Sequence, residues 1–271
     1  MVKRRVVFTL LWDRGHFMLS RNFRLQKVGD LKWLSQNYNF PRISTALDEL
    51  VVLNVSRGEG SVEAFAADLT DLTRGVFLPV AAGGGIRTET DAALLLRSGA
   101  DKLTLNAPLH SDPDLVGELA ARYGSQCLVA SVDFTRAAGD SPVAAVDGGR
   151  VPLDEPLRDT LTRVEALGVG DVLLHSIDRD GTGQGFDCDV QSHFEELAIP
   201  VILSGGAGHS GHFLDAFRKT RVQGLATAHL FNFIGDALPN SRRELLEDGV
   251  RIAVFSDVPA LAGEGAAPTS T

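Results

Sequence analysis

A single carboxylate ends a short apolar run, the position at which an enzyme built on parallel strands carries a catalytic acid or base. Residues 127–133 read Cys-Leu-Val-Ala-Ser-Val-Asp. Apolar and β-branched residues in continuous sequence are typical of a strand buried on both faces, whose last side chain can face a ligand. A carboxyl group placed there can accept or donate a proton during catalysis. Asp133 is therefore the first catalytic candidate.

A strand of similar design occurs half a chain earlier but ends without a carboxylate. Residues 5–11 read Arg-Val-Val-Phe-Thr-Leu-Leu, and 122 residues separate Leu11 from Asp133. The same spacing relates Val51 to Leu173, and it relates the first glycines of two similar turns, Gly83 and Gly205. Three pairs at one spacing predict an internal duplication.

The elements that would position these residues alternate along the chain. Strands are predicted at 4–11, 49–55, 77–82, 101–106, 127–133, 171–176, 200–204 and 222–227. Helical patterns lie near 28–38, 60–74, 88–99, 112–123, 155–168, 188–196, 210–219 and 240–248. Residues 12–27 and 134–152 interrupt the pattern and are predicted to be loops.

Eight strands, each followed by a helix, predict an α/β fold with a closed parallel sheet, the (βα)8 TIM barrel, built from two half-barrel repeats. A doubly wound open sheet is the rival, but its G-x-G-x-x-G signature is absent after the first strand. We expect a single barrel domain over residues 1–255. The small and polar tail, 256–271, is expected to be disordered.

Side-chain alternation along each strand predicts which residues face the barrel interior. At the N-terminal ends of the strands it places two cations and two anions together: Arg5, Glu49, Lys102 and Asp171. Buried charges persist only when paired, so these four are expected to form a ring. The ring has two readings, a structural cluster that closes the barrel floor or a gate.

The C-terminal ends of the strands are where barrel enzymes keep their chemistry. Five residues lie at these strand ends: Leu11, Asn54, Asn106, Asp133 and His175. Glycine-rich turns at 83–85 and 205–208 lead into helices, whose N-termini can bind phosphate through free N–H groups. Glycine also simply permits tight turns, but two related turns predict two phosphate sites on one mouth.

The composition excludes several classes of function. A net charge of −9 argues against a nucleic-acid partner, which would need clustered cations. Cys127 and Cys188 have no metal-ligand or disulfide spacing, and we expect no metal and no cofactor. The chain has no apolar run long enough for a membrane span and no signal peptide pattern, so a cytoplasmic protein is expected.

Five segments together resemble the cyclase subunit of imidazole glycerol phosphate synthase. They are Gly-Gly-Gly-Ile at 83–86, Gly-Ala-Asp-Lys-Leu-Thr-Leu-Asn at 99–106, Tyr-Gly-Ser-Gln-Cys-Leu-Val at 123–129, Ser-Ile-Asp-Arg-Asp-Gly-Thr at 176–182 and Ser-Gly-Gly-Ala-Gly at 204–208. The resemblance extends from about residue 3 to about residue 253.

The resemblance implies a lyase-type synthase that uses ammonia made by a class I glutaminase partner docked on the N-terminal face of the barrel. It implies that the charged ring is an ammonia gate and that Asp101 contacts the glutaminase. It also implies a phosphorylated substrate. The residues expected to bind it are Gly84, Gly85, Thr104, Asn106, Ser176, Asp178, Gly181, Thr182, Gly205, Gly206, Gly208 and His229.

This sequence departs from that family at the reaction centre. The family uses one aspartate at the end of strand 1 and one at the end of strand 5; here Leu11 replaces the first. Leu19 stands where a loop lysine is usual, and Asn54 replaces a common aspartate. His175 replaces a small polar residue, and could take over the lost acid/base role or only position substrate.

Three functions remain open at this point. The leading hypothesis is a paralogue similar to cyclase-like proteins of surface-sugar pathways, which use ammonia to amidate a sugar. The second is the histidine-pathway cyclase itself, with its acid/base work done by Asp133 and His175. The third is an inactive scaffold that binds a ligand or activates a glutaminase. Asp13 and His16 are further candidates to replace the missing carboxylate, and Arg179 is expected to pair with an acid.

Overall fold

A closed barrel of eight parallel strands forms the centre of the molecule. The computed structural model describes residues 3–37, 46–58, 61–136, 141–228 and 237–255. The strands are β1 (Arg5–Asp13), β2 (His16–Arg21), β3 (Arg24–Gly29), β4 (Glu49–Asn54), β5 (Val80–Gly83), β6 (Lys102–Leu105), β7 (Leu128–Thr135), β8 (Val143–Val146), β9 (Val151–Pro156), β10 (Asp171–Ser176), β11 (Val201–Ser204) and β12 (Gly224–Thr227). The barrel order is β1-β4-β5-β6-β7-β10-β11-β12, and β12 pairs with β1 to close it. The predicted (βα)8 fold is confirmed.

Helices surround the barrel. They are α1 (Leu31–Asn37), α2 (Val62–Thr73), α3 (Glu89–Arg97), α4 (Pro108–Ser111), α5 (Pro113–Tyr123), α6 (Leu157–Ala166), α7 (Ser210–Lys219) and α8 (Ala237–Glu247). Their starts follow local capping chemistry: Thr88 and Asp91 form a reciprocal capping box before α3. The buried faces of the helices pack on the outer face of the sheet. Within the described residues no helix has the length and apolarity that a membrane crossing would require.

The segment predicted as a loop at 12–27 is instead a β-hairpin that extends the barrel. β1 continues to Asp13, and β2 and β3 add to it in antiparallel fashion. Two-residue turns connect the strands: Arg14 and Gly15 have φ of +47° and +80°, and Asn22 and Phe23 have φ of +49° and +59°. Positive φ at both central residues is typical of the type I′ turn, whose twist matches the right-handed twist of the two strands that it connects. The loop prediction was wrong because local twist and pairing, rather than composition, decide this segment.

Two further predictions are corrected. The segment 134–152, expected to be a loop, contains the end of β7, all of β8 and the first residues of β9, which pair antiparallel beside the barrel. The helix expected at 188–196 is a short 3-10 turn, Cys188–His193. The tail at 256–271 and position His229 lie outside the described residues.

The internal duplication holds in three dimensions, with one correction. β4 and β10 begin at Glu49 and Asp171 and end at Asn54 and Ser176, so 122 residues relate them. The glycine-turn strands β5 and β11 are related by 121 residues, because they run over Val80–Gly83 and Val201–Ser204. Pairing Gly83 with Gly205 was therefore wrong by one residue, and Gly84 is the partner of Gly205.

The predicted inward-facing positions are confirmed by burial. An apolar layer of interior side chains separates the floor of the barrel from its mouth, and it consists of Val7, Val51, Ala81, Val129, Leu173, Ile202 and Ala226. Leu53 packs against this layer. The strand ends above it carry the polar candidates.

Candidate active site

Four charged side chains close the floor of the barrel. Arg5 contacts Glu49 Oε2 at 2.9 Å and Asp171 Oδ1 at 2.7 Å. Lys102 Nζ lies 3.1 Å from Glu49 Oε1 and 2.9 Å from Asp171 Oδ2. Burial alone would raise the pKa of Asp171, but its contacts with Arg5 and Lys102 outweigh burial and lower that pKa. Charges thus alternate around a ring in which every member has two partners of opposite sign.

Two threonine hydroxyls lie inside the barrel beyond the ring. Thr9 and Thr104 are buried, with 4% and 2% of their surface exposed. Neither hydroxyl has a hydrogen-bond partner within the described part of the chain. Buried hydroxyls in this position can bind a small polar molecule that moves along the barrel axis.

Asp133 lies at the mouth, at the C-terminal end of β7. Burial raises the pKa of its carboxyl group from 3.8 to about 6, although the charge of His175 and a hydrogen bond from Asn106 oppose the shift. Asn106 Nδ2 donates to Asp133 Oδ2 at 3.1 Å and to the carbonyl oxygen of Ser131 at 2.9 Å. A carboxyl group with this pKa can exchange protons near neutral pH.

His175 lies beside Asp133 on the neighbouring strand. β10 pairs with β7 so that these two residues are register partners, and their side chains point into the same mouth. The His175 side chain is 12% exposed, and its Nε2 lies 3.4 Å from Asp180 Oδ1. Burial would lower the pKa of His175, but Asp180 and Asp133 outweigh burial and raise it. The neighbouring carboxyl groups therefore favour the imidazolium form of His175.

The hairpin formed by β2 and β3 closes over this pair. Asp180 Oδ2 accepts hydrogen bonds from Ser20 Oγ at 2.5 Å and from the N–H of Phe23 at 3.1 Å. The N–H of Asn22 donates to the carbonyl oxygen of Asp180 at 3.0 Å. The Phe23 ring packs edge-on against the His175 ring, with centroids 5.2 Å apart. Asp180 thus holds both the hairpin and the imidazole.

The hairpin packs against the motif at 176–182. Gly181 has φ of +65°, and a Cβ there would lie 2.3 Å from the carbonyl oxygen of Ser20. Thr182 Oγ1 donates to the carbonyl oxygen of Arg179 at 2.8 Å. Ser176 is buried, and its Oγ accepts from the N–H of Arg179 at 3.4 Å. These contacts fix the backbone on which the hairpin rests.

Asp178 ties the same motif to the end of β7. Its carboxylate accepts from Thr135 Oγ1 at 3.0 Å and from the N–H of Arg136 at 2.7 Å. The ion pair expected for Arg179 was wrong, because this side chain has none among the described residues.

A cavity of about 180 Å³ lies between the hairpin and the ends of β10, β11 and β12. Among the strand-end side chains that the sequence predicted for this mouth, His175 lines the cavity, whereas Asn54, Asn106 and Asp133 do not. Its lining includes Leu19, Arg21, Arg24, Gln26, His175, Asp180, Gly181, Ser204, Gly205, Gly206 and Ala207. The described residues hold no cluster of three or more His, Cys, Asp or Glu side chains suited to a metal ion.

The two glycine turns have similar backbone constraints. Gly84 has φ of +95°, and a Cβ there would lie 2.0 Å from the carbonyl oxygen of Asn54. Gly205 has φ of +97°, and its Cβ would lie 2.7 Å from the carbonyl oxygen of Ser176. Close approach to the preceding strand therefore explains both glycines without a ligand. Phosphate binding there, and at neighbouring Gly85, stays a prediction.

One predicted phosphate donor is already engaged. The N–H of Gly208 donates to His212 Nδ1 at 3.0 Å. The His212 ring also stacks on that of His209, with centroids 3.7 Å apart. Gly205 and Gly206 line the cavity, whereas Gly208 does not.

Other candidates lie away from the cavity. Asp13 and His16 are register partners at the turn between β1 and β2, and neither lines the cavity. Asp101 is exposed just before β6, on the N-terminal face, where its carboxylate accepts from the N–H of Val80 at 2.8 Å. Replacement of the missing carboxylate by Asp13 or His16 stays a prediction.

Leu11 and Leu53 occupy the opposite side of the mouth. They are register partners on β1 and β4, and Leu11 is 7% exposed. Neither side chain can transfer a proton. The acid/base groups of the mouth are therefore gathered on one side, around Asp133 and His175.

The sequence did not single out the hairpin residues that contact this site. Phe23, Arg21 and Arg24 lay in a segment expected to be a loop, and Asp180 lay in the motif at 176–182, for which structural and substrate-positioning roles were expected. The short apolar run Phe17-Met18-Leu19, bounded by turn residues at Gly15 and Asn22, was the signal that could have predicted a strand there.

Comparisons with known proteins agree with this architecture. A family model described as "Histidine biosynthesis protein" matches residues 37–235. A protein of Parasynechococcus marenigrum (strain WH8102), whose name provisionally assigns it as imidazole glycerol phosphate synthase subunit hisF2, is 42% identical over 245 residues, which cover 90% of this chain and 91% of that protein.

Two proteins named imidazole glycerol phosphate synthase subunit HisF are also similar. That of Bacillus cereus (strain G9842) is 34% identical over 250 residues, covering 92% of this chain and 97% of its own. That of Streptococcus mutans serotype c is 33% identical over 254 residues, covering 93% and 100%. With the closed barrel, these matches show that the chain belongs to the HisF family, the cyclase-type subunits of imidazole glycerol phosphate synthase.

Proposed function

We propose that this protein is a HisF-type synthase subunit in which Asp133 and His175 replace the usual pair of carboxylates, and that it adds ammonia to a phosphorylated or nucleotide-linked sugar. The observation that carries the proposal is the register pairing of Asp133 with His175, opposite the apolar pair Leu11 and Leu53. An enzyme that needed a carboxylate at position 11 of β1 would lack it here.

The acid/base roles follow from the two pKa shifts. Above about pH 6 Asp133 is a carboxylate, while the neighbouring carboxyl groups raise the pKa of His175 and favour its protonated form. Ammonia would add to a carbonyl carbon of the substrate, and Asp133 would accept a proton from the nitrogen. His175 would donate one proton to the carbonyl oxygen, which gives a hydroxyl group on the same carbon. The protonated Asp133 would then donate its proton to this hydroxyl group and His175 would accept a second proton from the nitrogen, so that water leaves as the C=N bond forms. This step is common to imine and amidine formation.

The ammonia would come from a glutaminase partner docked on the N-terminal face, where Asp101 is exposed. The charged ring would act as the gate, because breaking a contact of Lys102 opens the floor while three charges remain in place. Ammonia would pass the hydroxyl groups of Thr9 and Thr104 on its way from the floor of the barrel to the mouth, and each could form a hydrogen bond with it.

The substrate would lie under the hairpin, with phosphate groups at the two glycine turns. Gly205 and Gly206 line the cavity and are the better placed of the two sets. Asn106 and Ser176 would position the reacting group, whereas the motif from Asp178 to Thr182 would hold the closed hairpin.

The second candidate function is the histidine-pathway cyclase, which the names of the relatives favour. Supplying that pathway's ribulosyl intermediate with ammonium salt separates the candidates. We expect no turnover by the wild-type protein. Turnover by the wild type would contradict sugar amidation as the activity.

Leu11→Asp sharpens this test, because it restores the carboxylate at the end of β1. Turnover of the intermediate only by this variant would show that position 11 alone separates the two reactions. Leu11→Asn is the matched control for the polar substitution. If neither variant nor wild type consumes ammonia with any phosphorylated or nucleotide-linked sugar, the protein is an inactive scaffold.

A further inference from the structure

We propose that Arg21 and Arg24 bind an anionic group of the substrate, a phosphate or a diphosphate, in the cavity beneath the hairpin. The proposal deepens the proposed function and rests on it. It adds two side-chain ligands, contributed by the hairpin, to a mouth whose other expected phosphate contacts are backbone groups.

The hairpin presents one face to the cavity. Arg21 on β2 is the register partner of Arg24 on β3, and Leu19 is the partner of Gln26. All four residues line the cavity. Because side chains alternate along a strand, residues two apart share a face, and the two arginines therefore lie side by side on the wall above the cavity.

The two arginines repel one another. Like charges directly opposite on paired strands destabilise a hairpin. Neither arginine has an acidic partner within the described residues. Among the described residues Asp180 is the one carboxylate that lines the cavity, and it already binds Ser20, Phe23 and His175. An anion between the arginines would remove the repulsion.

The opposite wall suits the same anion. It contains Gly205, Gly206 and Ala207, and the two glycines have φ of +97° and +100°. No carboxylate lies on this wall. Backbone groups of such a turn, without side chains to shield them, can approach an anion closely.

The number of donors distinguishes phosphate from carboxylate. Each guanidinium carries five N–H donors in a planar fork that matches phosphate oxygens in pairs. Two guanidinium groups and a glycine turn exceed what the two oxygens of one carboxylate can accept. Three or more oxygens on one group, as in a phosphate or a diphosphate, satisfy them.

Isothermal titration of phosphate and of pyrophosphate into the full-length protein tests the proposal. We expect each of Arg21→Gln and Arg24→Gln to weaken anion binding about tenfold and the double variant about a hundredfold, since each loses charge-assisted hydrogen bonds. Arg97→Gln is the matched control, because Arg97 is an exposed arginine at the end of α3, on the far side of the barrel. It should bind both anions as the wild type does.

Thermal unfolding provides a second measurement whose sign is distinctive. Without anion, Arg21→Gln should unfold at the same temperature as the wild type or higher, because the substitution removes a repulsion. With saturating pyrophosphate it should gain less stability than the wild type. A variant that is less stable without the anion would indicate a structural role and contradict the proposal.

The two probes distinguish the source of the anion. A diphosphate is assigned if the wild type binds pyrophosphate more tightly than phosphate and the double variant binds the two anions with the same affinity. Equal binding of both, weakened equally, assigns a single phosphate. Failure of the wild type to bind either anion, or equal affinities in wild type and double variant, overturns the proposal. None of these measurements requires turnover, so their failure is distinguishable from failure of the proposed function.

Discussion

Corresponding strand ends in the two halves of the barrel carry opposite chemistry. In the N-terminal half β1 and β4 bring Leu11 beside Leu53, and in the C-terminal half β7 and β10 bring Asp133 beside His175. The spacing of 122 residues relates each leucine to its polar counterpart. The backbone and register are shared, so the difference lies in two side chains per half.

The two halves of the barrel therefore contribute different parts of the site. The N-terminal half contributes three of the four ring charges and an apolar rim at the mouth. The C-terminal half contributes the acid/base pair, the motif against which the hairpin packs and one wall of the cavity. A duplicated barrel can thus keep delivery and chemistry in different halves.

Substituting the two counterparts should have very different effects on turnover. Asp133→Asn should reduce ammonia-dependent kcat about a thousandfold, because it removes the general base without changing shape. Leu11→Met, its counterpart, should change kcat less than about twofold, because volume-conserving swaps are tolerated. Steady-state kinetics with ammonium salt measures both. Similar losses in the two variants would break the comparison.

Leu53 and His175 are the second pair of counterparts, and substituting them tests whether His175 is the general acid. His175→Gln should reduce kcat about a hundredfold at neutral pH. In the wild type, activity should rise through about pH 6 as Asp133 loses its proton, and fall at alkaline pH as His175 loses its own. The pH profile of His175→Gln should keep the acidic limb and lack the alkaline one.

A profile for His175→Gln that retains both limbs would assign the acid to another group. Leu53→Met provides the matched control in the N-terminal half, and its profile should equal that of the wild type.

Stability should change in the direction opposite to activity. Asp133 has a pKa raised to about 6, so its ionisation opposes folding, and the penalty is absent below about pH 4 and complete above pH 6. The shift corresponds to about 3 kcal/mol at about 1.4 kcal/mol per pKa unit, an upper estimate. Asp133→Asn should therefore be more stable than the wild type at pH 8 by up to this amount.

Denaturant unfolding at pH 4 and at pH 8 measures the effect. The gain should shrink at pH 4, where the wild-type carboxyl group is protonated in the folded state. An equal gain at both pH values would show that burial of charge is not its cause.

The smallest effect is expected at the floor. Lys102→Ala should lower glutamine-dependent turnover several-fold relative to ammonia-dependent turnover, because it opens the ring without touching the mouth. The measurement requires the complex with a glutaminase. Equal changes in both activities would refute the gate and weaken the division between delivery and chemistry.

The barrel was predictable because its signal is repeated eight times. Most of the barrel strands are short, apolar and followed by an amphipathic helix, so local errors do not alter the topology. The ring was predictable for a related reason: alternation along a strand fixes which way Arg5, Glu49, Lys102 and Asp171 point. Closure of the barrel then brings these four side chains within ion-pair distance of one another.

The hairpin was not predictable in the same way. Its second turn uses Asn22 and Phe23, both with positive φ, although only asparagine is a usual residue there. Contacts with Asp180 stabilise this turn, and they form only once the barrel exists. The roles of Arg21 and Arg24 depend on where the hairpin lies and were therefore missed as well.

Asp180 couples the hairpin to His175, because its carboxylate contacts both. Ser20 and Phe23 bind one of its oxygens, and His175 lies against the other. Events that share a group are thermodynamically linked, and the linkage acts equally in both directions. Lifting the hairpin exposes Asp180 to water, weakens its hold on the imidazolium and favours release of its proton. Loss of that proton in turn loosens the hairpin, so the hairpin is bound most firmly while His175 holds its proton.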